Sequence, residues 1–488
     1  MTRIGLFPIV SVVSVCIFLP YFTPAVRAAE VEKVPITTSS PKALGLYLQG
    51  RDLQEKLRAQ EALAYLQKAV KEDPNFAMGH LNLAFSQPTG DGFFESLRKA
   101  VSLADQVSEG EQLWIRGVDA GIHGLAAKQR QLYEELVAAY PTDERAHNLL
   151  GNHYFGQQNY PLAIASYETA IEINPEFSQP YNQLGYSYRF EENYPEAEKA
   201  FKKYIELIPD DPNPYDSYAE LLMKMGEFER SNEEYRKALS INKKFMPSYI
   251  GIATNLNLMG KHAEARQTLD TMYREAADDG QRRQSLFSRA VSFVDEGDTD
   301  NALRSLAESY ALAEKNDDLA GMSFDLNNMG NVLLEAGRPS EAMAKFEESI
   351  ALTRQSDRTA DAKENAERFF LYNSARAALR QKDLATAKKR AEDHRARAEA
   401  IGSQPQIQLT HELAGTIALE ELDYATALVE LEQANPLDPY NLYRIGLAYQ
   451  GKGDETKARE LYRRAADFNA LNNFNYAFIR RVAKESAS

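Results

Sequence analysis

Apolar residues between positions 144 and 175 recur with a helical period, not a strand period. His147, Leu150, Gly151 and Tyr154 stand at i, i+3, i+4 and i+7. After a polar turn of Gln157, Gln158 and Asn159, the residues Ala163, Tyr167 and Ala170 form a second such face. Pro175 stops the second helix, because proline lacks the amide donor and clashes with the preceding turn. The pattern predicts a hairpin of two helices. It returns 34 residues later, with Leu184, Gly185 and Tyr188 in the first helix, Ala197 and Phe201 in the second, and Pro209 as the stop. No run alternates with period two for long enough to make a sheet, so the chain reads as all-α.

Extended in both directions, the pattern gives about twelve hairpins. They begin near Ala43, Ala77, Gly110, Glu144, Ser178, Pro212 and Met246. Residues 274–282 break the count, and longer units follow from Arg283, Ser323, Arg368, Gln408 and Pro439. Gly121 and Gly124 loosen the third unit. Residues 353–367, charged and alanine-rich, read as extra helix length or a connection between helices. The eighth position of each unit is Gly50, Ala84, Gly117, Gly151, Gly185, Ala219, Ala253, Ala290, Gly330, Ala375, Gly415 or Gly446, so it is always glycine or alanine. The twentieth is alanine in nine of the twelve units. Two columns kept small mean two helices in close approach, which a larger side chain would overpack.

The period and these residues resemble the tetratricopeptide repeat family, whose unit is a helix–turn–helix of this length. The resemblance implies a right-handed α-solenoid in which each unit buries its apolar face only against its neighbours. It also implies a concave wall of first helices that holds an extended peptide or a partner's helix. The family's concave contacts fall at the second, fifth, ninth and twelfth positions. The last three map to Asn148, Asn152 and Phe155, then Asn182, Tyr186 and Arg189, then Asp216, Glu220 and Met223, and later Asn327, Asn331 and Leu334. Asparagine there could donate to and accept from a peptide backbone, whatever its side chains. With Asn148 in place of a lysine at the fifth position, clamping of a C-terminal carboxylate is not expected. Trp114 falls at a fifth position too, but core is the preferred reading. The array divides into residues 43–279, with the 34-residue period, and residues 283–471, with longer units. Residues 472–488 read as an amphipathic capping helix and tail, since the last unit has no neighbour to cover it.

Composition narrows the function. Charged residues make up 26% and hydrophobic ones 44%, which suits a folded chain. The net charge of −15 opposes nucleic acid or an anionic membrane as the main ligand. Residues 1–28 read as a secretory signal, with Arg3 ahead of an apolar run and Val26, Arg27 and Ala28 offering a cleavage site. An uncleaved membrane anchor is the alternative. The only cysteine, Cys16, lies inside that segment, so the exported chain would have no thiol chemistry. Residues 29–42 read as a short polar linker. Export to a bacterial periplasm or cell surface is the expectation.

No catalytic constellation stands out. The seven histidines are scattered, and His411 with Glu412 lacks the second histidine of a zinc helix. Residues 295–300 resemble a calcium loop without its closing glutamate and fit an intra-repeat turn better. Ser96 with Lys99 and Ser240 with Lys243 match a serine–lysine spacing without the motifs that accompany it in penicillin-binding enzymes. The expectation is a scaffold for a protein or extended peptide, with no enzymatic activity, cofactor or metal, and no membrane insertion of the processed chain. The alternative is a structural or self-assembling part of a cell-envelope complex.

Overall fold

The computed structural model describes residues 33–88, 90–356 and 358–488. These residues form twenty-five α-helices and one 3₁₀ turn, Ala104–Gln106, and contain no strand. Twenty-four of the helices pair into twelve hairpins. The first helices are α1 (Pro41–Glu55), α3 (Ala77–Ser86), α5 (Glu109–Ile122), α7 (Glu144–Gly156), α9 (Ser178–Phe190), α11 (Pro212–Lys224), α13 (Met246–Leu258), α15 (Asp279–Glu296), α17 (Leu319–Glu335), α19 (Ala360–Arg380), α21 (Gln404–Glu420) and α23 (Pro439–Gly451). The second helices are α2 (Ala59–Glu72), α4 (Gly90–Leu103), α6 (Ala126–Ala139), α8 (Tyr160–Ile173), α10 (Tyr194–Leu207), α12 (Phe228–Ile241), α14 (His262–Glu275), α16 (Thr299–Lys315), α18 (Pro339–Gln355), α20 (Leu384–Ile401), α22 (Tyr424–Leu431) and α24 (Glu455–Ala466). A last helix, α25 (Phe474–Ala487), has no partner of its own. Each hairpin packs on the next, and the sum is an α-solenoid of helical repeats.

The two small columns explain the hairpins. A Cβ added to any of the seven eighth-position glycines would fall 2.2–2.7 Å from the side chain sixteen residues on: Leu66, Tyr133, Tyr167, Phe201, Phe346, Leu431 or Tyr462. All seven of those side chains are buried. The nine alanines of the twentieth column are fully buried as well. Between the helices, the fifteenth position of eleven units has a positive φ, from 57° to 91°. Six of these are glycines, and the other five are Leu57, Gln158, Glu192, Lys382 and Leu422. Aspartates start many helices by accepting first-turn amides, as Asp143 does for α7 and Asp298 for α16.

From α15 to α21 the helices run 17–21 residues, against 13 or 14 from α7 to α14. The added turns lie at the start of first helices and the end of second helices, and α19 takes up most of the stretch after residue 353. The solenoid coils until units seven apart touch. Gln408 at the start of α21 donates to Gln158 in the α7–α8 turn at 3.0 Å.

Residues 33–40, read from the sequence as part of a spacer, lie extended along the first units. The Val34 amide donates to Asp143 at 2.8 Å, Thr37 to Glu111 through amide and hydroxyl, and Ser39 to Asp73 at 3.0 Å. Three acidic residues from three hairpins thus hold one strap. The signal reading of residues 1–28 lies outside the described residues.

Candidate functional site

The inner wall is built from first helices, and most of its polar side chains bond to the next first helix along. Asn148 donates to Gln179 at 3.1 Å, Tyr186 to Ser217 at 3.3 Å, and Arg189 to Glu220 at 3.0 Å. Ser248 donates to Asp216 at 2.6 Å, Asn373 to Asn327 at 2.8 Å, and Arg376 to Asn331 at 2.8 Å. The predicted contact residues are therefore first of all rungs between units. Asn148, Asn182, Asp216 and Met223 are buried, and so is Leu334. Burial, together with the neighbouring Glu220, raises the Asp216 carboxyl to about 8. Phe155 stacks into an aromatic cluster with Tyr160 and Phe190, whose own rings lie 4.9 Å apart.

The wall curls tightly at both ends, in the same register. Near the N-terminus, Arg145 of α7 makes a two-pronged pair with Glu55 of α1 at 2.6 and 2.9 Å. Near the C-terminus, the Tyr440 hydroxyl of α23 donates to Glu335 of α17 at 2.5 Å, and Glu335 also takes Arg376 and Arg380. In both cases the thirteenth residue of one unit meets the second residue of the unit three further on. Each curl encloses a cup.

The N-terminal cup has a volume of about 640 Å³ and is lined from α1, α3, α5, α7 and the start of α9. Its floor is apolar, with Leu81, Phe85, Trp114, Val118, Ile122 and Leu149. Phe85 is 51% exposed and Ile122 40%, which is high for side chains of this kind in a concave wall. Gln54, Asn82, Asn148, Asn152 and Gln157 add polar groups. The Asn148 side-chain oxygen is buried and has no hydrogen-bond partner among the described residues, and Asn152 accepts from the Tyr167 hydroxyl. Arg145 pairs with both Glu55 and Glu144, whereas Arg51 reaches only Glu55, at 3.6 Å, so among the described residues Arg51 is the less neutralised cation of the cup. Burial opposes the Arg145 charge, but the bond to Glu55 and the charges of Glu55, Glu144 and Asp143 together outweigh it and hold the guanidinium above its ordinary value. Trp114, read as core, does both jobs: it packs on the neighbouring hydrophobic clusters and lines the cup.

The other predicted residues lie elsewhere. Arg189 and Glu220 line a second cavity, roofed by Phe468, residues 469–473 and Tyr476 from the C-terminal end. There the Lys224 ammonium sits 3.7 Å from the Phe468 ring centre, and burial lowers its pKa to about 8. Asn327 lines a small hollow of about 290 Å³ between α17, α18 and α19. The structure thus brings Asn148 and Asn152 together in one open cup, and separates them from the rest. Sequence reasoning did not single out Arg51, Glu55, Phe85 or Arg145. Arg145 stands at the second position and Arg51 and Phe85 at the ninth, two of the four concave columns, so the column rule could have found them had it been carried to the first two units; Glu55, at a thirteenth position, lies outside those columns.

The C-terminal cup, about 850 Å³, is lined from the ends of α15, α17, α19 and α21 and from α23 and α25. The stretch that resembles a calcium loop forms the α15–α16 turn, where Asp295 bonds His262 and Arg480 and Asp298 caps α16. Among the described residues no group of three or more His, Cys, Asp or Glu is placed to hold a metal. No helix among them is long and apolar enough to cross a membrane.

Comparison with protein families settles what the unit is. Four family models, each described as a tetratricopeptide repeat, match residues 144–177, 166–199, 213–245 with 439–470, and 326–356. The chain is a tetratricopeptide repeat protein. Such arrays are scaffolds for protein–protein contact, and this one carries its repeats from α1 to α24. No curated protein matches the sequence. Among solved structures it is similar to the Cut9–Hcn1 hetero-tetramer of the APC/C, at 14% identity over 87% of this chain and 76% of that one, with a TM-score of 0.40. It is also similar to a tetratricopeptide repeat protein from Parabacteroides merdae, at 16% identity over 59% of this chain and 100% of that one, with a TM-score of 0.36. A third is YrrB, described as having an unusual peptide-binding site, at 17% identity over 37% and 91%, with a TM-score of 0.27. Likenesses this loose carry no inference about a partner.

Proposed function

We propose that this tetratricopeptide repeat protein holds an extended segment of a partner protein in its N-terminal cup, and that it does so after export. The observation that carries the reading is the Asn148 side-chain oxygen, which has no hydrogen-bond partner among the described residues, beside an apolar floor. A buried oxygen without a partner costs free energy, and a ligand amide would satisfy it. Phe85, Ile122 and Trp114 offer seats for apolar side chains. Arg51, whose carboxylate partner among the described residues is the Glu55 already held by Arg145, favours a segment with an acidic group. The rest of the predicted contact set, Phe155, Asn182, Tyr186, Arg189, Asp216, Glu220, Asn327 and Asn331, then acts by keeping the wall rigid. The charge pattern of residues 1–28 supports export. N-terminal sequencing of the chain recovered from its host tests that part, with Ala29 as the expected first residue.

The binding reading is tested with peptides selected on the purified protein from a random library. Selected sequences should be apolar with one acidic residue. The combined variant Phe85→Ser, Ile122→Ser and Asn148→Ala should weaken them by at least about tenfold, that is 1.4 kcal/mol or more, with helical circular dichroism unchanged. Equal affinity for the variant and the parent would retire the cup as the site.

A further inference from the structure

The inner wall of the middle units is already occupied, by the chain's own last helix. Ile479 and Ala483 of α25 pack on α23 and α24, as a terminal cap should. Its other face does something a cap does not need to do. Phe474 and Ala477 join the core of α15, α16 and α17, and the Phe474 ring lies 5.1 Å from that of Phe287. Arg480 bonds both the Asn257 carbonyl and the Asp295 carboxylate of earlier units.

We propose that the face of α13, α15 and α17 beneath Phe474 and Arg480 is a receptor for an amphipathic helix, that α25 is its resident occupant, and that a partner protein's helix of the same chemistry displaces it. The chemistry is read from the resident: an aromatic residue, a small residue three positions later, and an arginine three beyond that. Two observations favour exchange over a permanent seal. First, Asp295 also bonds His262 at 2.8 Å, so its carboxylate keeps a partner when Arg480 leaves. Second, the resident does not cover the whole patch. Phe287 continues into Phe324, 5.7 Å away between ring centres, and Phe324 is 52% exposed. A helix one turn longer than α25 at its N-terminal end would bury Phe324 and so outcompete the resident. This surface is separate from the N-terminal cup, so either reading can fail without the other.

The test uses the full chain and a labelled peptide of residues 472–488, preceded by one extra apolar helical turn, followed by fluorescence anisotropy. Arg480→Ala in the protein, which loosens the resident, should tighten peptide binding at least about tenfold, and Phe324→Ser should weaken it by a similar factor. Hydrogen exchange on the unaltered chain needs no variant. Added peptide should protect α15 and α17 while α25 exchanges faster. Unchanged exchange in α25, or equal peptide affinity for Arg480→Ala and the parent, overturns the proposal. So does a parent chain that purifies as a dimer with α25 swapped between copies, since the face would then be a self-assembly joint.

Discussion

Gly185 shows how little room a hairpin contact leaves. A methyl group there would lie 2.6 Å from the Phe201 ring, which is fully buried and cannot retreat. Gly185→Leu should cost about 1–3 kcal/mol, read as a lower urea midpoint, and Gly185→Ala should already be measurable. The opposite change is expected at Leu422. It sits at φ 61° in the α21–α22 turn with 68% of its surface exposed. Leu422→Gly removes a left-handed strain of about 1 kcal/mol and should raise the melting temperature. Asp216 gives a pH signature. Its folded value of about 8 lies above the ordinary 3.8, so the protonated carboxyl favours the fold. That stability is complete below pH 4 and is lost as pH rises through 8. Asp216→Asn keeps an acceptor for Ser248, removes the repulsion from Glu220, and should flatten the urea midpoint between pH 4 and 8. The small columns were legible in the sequence because they repeat. The turn column was only half legible: Gly226 and Gly337 advertise a positive φ, whereas Glu192 and Leu422 adopt it because the hairpin closes around them.

At the scale of elements, each hairpin could be read locally, because its core is made within about 34 residues. The strap could not. Residues 33–40 carry no helical period, and their anchors Asp73, Glu111 and Asp143 come from three separate units. Asp143 caps α7 as well as holding Val34. Asp143→Ala should therefore lose about 0.5–2 kcal/mol and also speed hydrogen exchange at Val34. A pure capping role would leave that amide unchanged. The helix α25 was legible as amphipathic, but its second contact was not. Which distant unit a terminal helix reaches depends on the coil of all the units between.

For the whole molecule, the rotation from one hairpin to the next decides function. Small rotations add until Gln158 meets Gln408, and the inner wall of the described residues then divides into a cup that none of the described helices enters, a stretch covered by the C-terminal segment, and a second cup walled by α25. The sequence located the inner wall by its columns. It could not show that Asn148 and Asn152 line the N-terminal cup while Arg189 and Glu220 stand beneath Phe468, because coverage is a property of the closed coil. The most direct measurement is a hydrogen-exchange footprint of a library-selected peptide on the full chain. Protection confined to α1, α3, α5 and α7 is the predicted result. Protection on the outer helices α2, α4, α6 and α8, with the inner wall unchanged, would contradict it.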